Sequence, residues 1–140
     1  MILAGVEVPF ELGLSGHSDA DLAAHAMANA ILGALGEGDL GRHFSDQDPR
    51  HKDANSIGLL KQVWALACER GWQLINADLT IFAQAPRLAP YVPAMRTRLA
   101  EALEIAPELL NVKVSSPEAL GALGRGEGMA AAAIVLLAAS

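Results

Sequence analysis

Residues 129–139 form the longest apolar run of the chain, eleven Met, Ala, Ile, Val and Leu residues without one polar side chain. The run is well short of the roughly 20 residues that a membrane-spanning helix needs. Its position after a glycine-rich loop favours a strand buried in a sheet, although its alanine content leaves a helix possible. Because a strand that is apolar on both sides must be covered on both sides, the run predicts a layered domain that associates with further subunits.

The remaining hydrophobic pattern predicts one domain over residues 1–140. A short β-branched segment predicts a strand at 2–8, and alternation of apolar and polar residues predicts strands at 73–83 and 111–116. Apolar spacings of three and four predict helices over 19–35, 56–70 and about 90–104, separated at 39–55 by a long polar loop. This order indicates an α/β (α+β) fold in which helices cover one face of a mixed β-sheet and an oligomer covers the other.

Charge and cysteine content narrow the classes of partner. A net charge of −6 and a pI near 5.1, with ten scattered basic residues, argue against a nucleic-acid surface or binding to an anionic membrane. A phosphate ligand on such a protein is best held by divalent cations, helix N-termini and backbone amides. The single Cys68 excludes an intramolecular disulfide, and residues 1–7 lack the pattern of a secretory signal, so a cytoplasmic location is expected.

Residues 16–25 concentrate two imidazoles, two carboxylates and a hydroxyl around one predicted helix start. Ser18 or Asp19 is predicted to cap this helix, with Asp21 in its first turn and His25 one turn further on the same face. The cluster is typical of a metal or phosphate site. The alternative interpretation is a capped surface helix with a histidine at the edge of the core.

Besides residues 16–25, three further segments contain candidate functional residues: residues 39–41 with 44–48, residues 83–88, and residues 115–118 with the glycine-rich 124–128. Taken together, in order and at family-like spacing from about residue 2 to 133, the four segments resemble the 2-C-methyl-D-erythritol 2,4-cyclodiphosphate synthases of the non-mevalonate isoprenoid pathway. The resemblance implies a cytosolic homotrimer with active sites between adjacent subunits. It also implies a phosphorus–oxygen lyase reaction, in which a phosphate oxygen of a CDP-linked methylerythritol phosphate attacks the β-phosphorus and expels CMP.

The resemblance implies roles for individual residues. His17 and Ser116 would donate to the reacting phosphates, His25 would be a Zn²⁺ ligand, and Glu118 would hold Mg²⁺ or Mn²⁺. Arg125 would be the matching phosphate cation, although a surface arginine is the commoner interpretation of such a residue. The segments implied to bind the methylerythritol part comprise Ser18, Asp39, Leu40, Gly41, Phe44, Ser45, Asp46, Gln47 and Asp48. Those implied to bind the nucleotide and phosphates comprise Ala83, Gln84, Ala85, Pro86, Arg87, Leu88, Ala89, Ser115, Ser116, Pro117, Glu118, Ala122 and Arg125.

The sequence departs from the family at the zinc site. The family takes two further zinc ligands from an Asp-x-His pair upstream of the segment that matches residues 2–8, and the sequence begins after that point. Asp19, His43 and His51 are weaker candidate ligands. Three explanations remain open: a truncated chain, a divergent enzyme with fewer ligands, and a non-catalytic trimer that keeps only a phosphate or nucleotide pocket. Without a neighbouring strand, residues 2–8 are expected to form an exposed sheet edge.

Overall fold

The computed structural model describes residues 1–10, 21–45 and 55–140. Its centre is a three-stranded sheet in the order β4, β3, β5, where β3 is Trp72–Phe82, β4 is Leu110–Ser115 and β5 is Ala130–Ala139. Strand β3 pairs parallel with β4 and antiparallel with β5, so that Leu79 lies opposite Val112 on one side and Ala133 on the other. The predicted mixed sheet is confirmed. The apolar run is a strand, as its position after the glycine-rich loop indicated.

Three helices cover one face of this sheet: α1 at Leu22–Leu35, α3 at Ser56–Glu69 and α4 at Val92–Leu103. Helix α1 packs on β5, α4 packs on β4, and α3 contacts both helices. Their inward stripes bury side chains against the strands. Fully buried large members of this core are Met27, Ile31, Leu32, Leu60, Leu79, Ile81, Met95, Leu99 and Leu103.

Among the described residues, no helix covers the opposite face of the sheet. Ile134 and Leu136 of β5 are 76% and 54% exposed, whereas their strand neighbours Val135 and Leu137 pack against the core. On the same face as Ile134, Asp78 accepts hydrogen bonds from Asn111 Nδ2 at 3.0 Å and Lys113 Nζ at 2.7 Å. The helices therefore cover one sheet face only, as the periodicity predicted.

The segment at residues 2–8 differs from its prediction. Instead of one strand at the edge of the main sheet, Ile2–Leu3 (β1) and Val6–Glu7 (β2) form a separate antiparallel hairpin. Ala4 and Gly5 make its turn with φ of 51° and 73°, values that reverse the chain within two residues. A Cβ at Gly5 would lie 2.7 Å from Ile57 Cγ1, so glycine is required there. Residues 2–8 therefore form no edge of the main sheet, and Leu3, Ala4 and Val8 are fully buried.

Two single-turn helices complete the described chain. Helix α2, Leu40–His43, lies inside the segment predicted as a polar loop. Helix α5, Gly121–Gly124, lies in the glycine-rich segment before β5. Helix α2 contains Leu40 and Gly41, and α5 contains Ala122, three residues that the sequence assigns to ligand binding.

Candidate active site

The start of helix α1 is organised by a buried carboxylate. Asp21, not Ser18 or Asp19, is the N-cap, and its side chain accepts from Ala24 N at 3.0 Å. The same carboxylate accepts from the hairpin amides of Ala4 and Gly5, both at 2.7 Å, and the residue has no exposed surface. The predicted helix start at residue 19 and the first-turn position of Asp21 are therefore wrong. Asp21 differs from the two predicted caps because its carboxylate also binds the amides of the hairpin turn.

His25 lies one turn into α1 and faces the start of α3. Its Nε2 and the Ser56 Oγ are 2.7 Å apart in a hydrogen bond, and Ser56 is 1% exposed. Asn55 fixes the start of α3 through its Oδ1, which accepts from Ile57 N at 2.9 Å and Gly58 N at 3.3 Å. The N-terminal ends of two helices thus meet at the imidazole. Ser56 is a residue that the sequence interpretation missed, because nothing in its local pattern distinguishes it from a helix-start serine.

The segment after α1 turns back along that helix. Asp39 Oδ1 accepts from Arg42 N at 3.0 Å as the N-cap of α2, and Asn29 of α1 accepts from Leu40 N at 2.9 Å. His43 Nε2 donates to the Glu37 carbonyl at 2.7 Å. Asp39, Leu40, Gly41, Phe44 and Ser45 are therefore held beside α1. His17, Ser18, Asp46, Gln47 and Asp48 lie outside the described residues, as do the weaker candidates Asp19 and His51.

A second group of predicted site residues gathers where β3 and β4 end. Because the two strands are parallel, their carboxyl ends share one edge of the sheet, the usual place for ligands in such sheets. Ala83 N donates to the Ser115 carbonyl at 3.2 Å, and Ala119 N donates to Gln84 Oε1 at 2.8 Å. Residues 83–89 and 115–118 therefore lie side by side. Their proximity is what the sequence interpretation required of a common nucleotide and phosphate site.

The residues of segment 83–89 differ in their exposure to solvent. Ala83 and Leu88 are 5% and 1% exposed, so both residues belong to the core. Gln84 and Arg87 are exposed. Pro86 follows a cis peptide bond with Ala85, and Ala89 begins a 3₁₀ turn, Ala89–Tyr91, that leads into α4. The part of this segment that a ligand can reach therefore lies at Gln84, Ala85, Arg87 and Ala89.

The loop after β4 presents Ser116 and Glu118. Ser116 Oγ accepts from Glu118 N at 3.0 Å, and both residues are exposed. Arg125, predicted as a phosphate cation, forms an ion pair with Glu127 Oε2 at 2.9 Å from its Nη2. Its side chain is 62% exposed, so this pair holds it weakly. Ala122 lies on the surface in α5 and Pro117 precedes the loop turn.

The described residues do not by themselves fit a metal centre. Within residues 1–10, 21–45 and 55–140, no three His, Cys, Asp or Glu side chains lie where they could hold one ion. His25 and Glu118 belong to the two separate groups, and between described residues no hydrogen bond or ion pair joins those groups. A tetrahedral zinc site needs at least three protein ligands.

A known protein family matches nearly the whole chain. The YgbB family matches residues 1–138 of the chain. The chain belongs to the YgbB family. A relative of this YgbB protein, the 2-C-methyl-D-erythritol 2,4-cyclodiphosphate synthase of Geobacillus kaustophilus, is 57% identical over 137 residues, which are 98% of this chain and 87% of the relative.

Solved structures agree with the YgbB assignment. The bifunctional IspDF from Campylobacter jejuni matches with a TM-score of 0.96 and 42% identity over all of this chain, which spans 38% of that longer chain. The CDP-bound form of a 2C-methyl-D-erythritol-2,4-cyclodiphosphate synthase matches with a TM-score of 0.90 and 32% identity, covering 99% of this chain and 89% of that one. The resemblance read from the four sequence segments is confirmed. Across the described parts of this YgbB chain, none of the helices is long and apolar enough to cross a membrane.

Proposed function

We propose that the chain is a 2-C-methyl-D-erythritol 2,4-cyclodiphosphate synthase. It converts 4-CDP-2-C-methyl-D-erythritol 2-phosphate into the cyclic diphosphate and CMP. An oxygen of the 2-phosphate attacks the β-phosphorus, the bond from that phosphorus to the bridging oxygen of the α-phosphate breaks, and CMP leaves with the electron pair. The observation that carries the proposal is the 57% identity with a relative of that name over nearly the whole chain.

At the nucleotide end, residues 83–89 bind the cytosine through backbone groups. Support comes from the exposure of Ala85 and Ala89, since a methyl side chain leaves much of the backbone beside it within reach of a ligand. The Ser116 hydroxyl already accepts the Glu118 N–H, so its own proton is the group that donates to a phosphate oxygen. Arg87 and Arg125 add positive charge at this end. Such fixed donors stabilise the charge that develops on the phosphates.

At the sugar end, Ser18, residues 39–41 and residues 44–48 hold the methylerythritol part. Support comes from α2, whose cap and whose hydrogen bond to Asn29 keep the described members of this set beside α1. His17 donates to the reacting phosphate. Because the nucleophile belongs to the substrate, the chain's task is to bring two phosphates together and to neutralise their charge.

We also propose that the active protein is a homotrimer located in the cytoplasm. The open sheet face around Ile134 and Leu136 supports association, since such large side chains are rarely left exposed together. Active sites between subunits would place the His25 group of one chain against the Ser116 and Glu118 group of the next.

Divalent metals remain part of the proposal. Zn²⁺ at His25, with further ligands beyond the described residues, and Mg²⁺ or Mn²⁺ at Glu118 would supply charge neutralisation at the phosphates. Metal analysis of the purified protein tests this directly: near-stoichiometric zinc that is lost in His25→Ala supports the zinc site. Zinc content that is unchanged by this substitution contradicts it.

Turnover of the proposed substrate tests the function. We expect equal amounts of CMP and cyclic diphosphate, identified by chromatography and mass spectrometry, and a roughly 100-fold lower kcat for Ser116→Ala through loss of one aligned donor. A linear phosphate product indicates a phosphohydrolase on the same fold. No turnover of a correctly folded, metal-loaded trimer indicates the non-catalytic alternative.

A further inference from the structure

The loop after β4 contains a tight turn in an unfavourable backbone conformation. Glu118 and Ala119 have φ of 56° and 62°, and Leu120 N donates to the Pro117 carbonyl at 3.0 Å to close the turn. Two successive positive φ values are typical of Asn and Gly, because a Cβ crowds the backbone there. Neither residue here is of those types. Contacts from outside the turn must therefore hold it.

Two such contacts meet at Ala119. From one side, the Gln84 side chain accepts the Ala119 N–H, with Oε1 and N 2.8 Å apart. From the other side, Gly124 lies so close that a Cβ added to it would be 2.1 Å from the Ala119 carbonyl carbon. Gln84 thus links the segment proposed to bind cytosine to the loop proposed to act on the phosphates.

We propose that Gln84 is a positioning residue, whose side-chain amide holds the turn at residues 117–120 in the conformation that places Ser116 and Glu118 for the reaction. This inference rests on the proposed function. Glu118 N donates to Ser116 Oγ within the same loop, so a change in the turn redirects both side chains together. The Gln84 amide oxygen acts on the loop, and the part of Gln84 that serves the substrate is its backbone.

Hydrogen–deuterium exchange of the substrate-free protein tests the contact without relying on activity. In Gln84→Met, which keeps the side-chain length but removes the acceptor, exchange at residues 118–121 should be about 3- to 10-fold faster, because a net hydrogen bond is lost. Gln84→Glu is the matched control, since its carboxylate still accepts the Ala119 N–H and should restore slow exchange. The melting temperature should not change in either variant. Unaltered exchange in Gln84→Met overturns the proposal.

Steady-state kinetics tests the catalytic half of the inference. We expect Gln84→Met to lower kcat about 3- to 10-fold while KM changes less than about twofold, since cytosine binding by the backbone is retained. Faster exchange with an unchanged kcat contradicts a positioning role. A wild-type protein that does not turn over the substrate contradicts the proposed function instead, and the exchange result then decides the Gln84 contact independently.

Discussion

Asp21 is a fully buried polar residue that connects the hairpin at residues 2–8 to the start of α1. Its carboxylate satisfies three backbone amides, two from the hairpin turn and one from α1, in a place without solvent. Removing one partner from such a group leaves buried donors without hydrogen bonds, which costs more than the bonds themselves contribute. The start of α1, and with it His25, is positioned by this residue.

Asp21→Ala should therefore lower the free energy of unfolding by about 3 kcal/mol, measured by urea denaturation at fixed protein concentration. Asp39→Ala is the control, because that carboxylate caps the exposed single-turn α2 with one hydrogen bond. Its cost should stay at or below about 1 kcal/mol. Equal effects of the two substitutions would contradict the account of Asp21.

The residue that caps α1 could not be chosen from the sequence. Ser18, Asp19 and Asp21 all have side chains that cap helices well, and the choice depends on Ala4 and Gly5, which lie 16 or more residues away in the chain. The same limit applies to Gln84 and Ser56, whose partners come from other elements. Local pattern identified which segments carry chemistry, but it could not identify the long-range partners that hold them in place.

At the scale of elements, the centre of the fold is β3, which pairs on both sides. Alternation was sufficient to predict β3 and β4, and spacings of three and four predicted the three main helices, because each of these elements buries one regular face. Strand β5 was predicted from its position after the glycine-rich loop, and its alanine content had left a helix possible. The hairpin at residues 2–8 was not predictable in the same way. Ala4 has no sequence signal for a positive φ, and the turn depends on the Asp21 carboxylate.

The polar cluster that joins β3 to β4 gives a pH-dependent contribution to stability. Hydrogen bonds from Lys113 and then Asn111 lower the pKa of Asp78 below its ordinary 3.8. A lowered pKa in the folded state means that the stabilisation is present above 3.8 and is lost as the pH falls through the lowered value. Both side chains of the ion pair are more than one third exposed, so the contribution is small.

Asp78→Asn should be less stable than the wild type by about 0.5 kcal/mol near neutral pH, and the difference should shrink as the pH falls below 3.8. Urea midpoints at neutral pH and at a series of pH values below 3.8 measure it. Lys113→Met serves as the control, since without the ammonium group the pH dependence contributed by Asp78 should weaken. A difference between Asp78→Asn and wild type that is constant over this range would contradict the assignment.

The open sheet face around Ile134 and Leu136 is the surface through which the proposed trimer would associate. Ile134→Asp places a charge where the proposed trimer buries an apolar side chain, and we expect a monomer by analytical ultracentrifugation, because burying an unpaired charge is costly. Ala65→Asp, on the exposed side of α3, is the matched control and should leave the trimer intact. A trimer that persists in Ile134→Asp would place the interface elsewhere.

We propose that the His25 group and the Ser116–Glu118 group, which no hydrogen bond or ion pair between described residues joins within one chain, form one active site across a subunit boundary. Co-expression of His25→Ala and Glu118→Ala under two different affinity tags, followed by purification on both tags, yields only mixed trimers. Each contains one boundary with both groups intact, so activity should return to about a third of wild type, although each variant alone is inactive. Mixed trimers no more active than the separate variants would contradict the account.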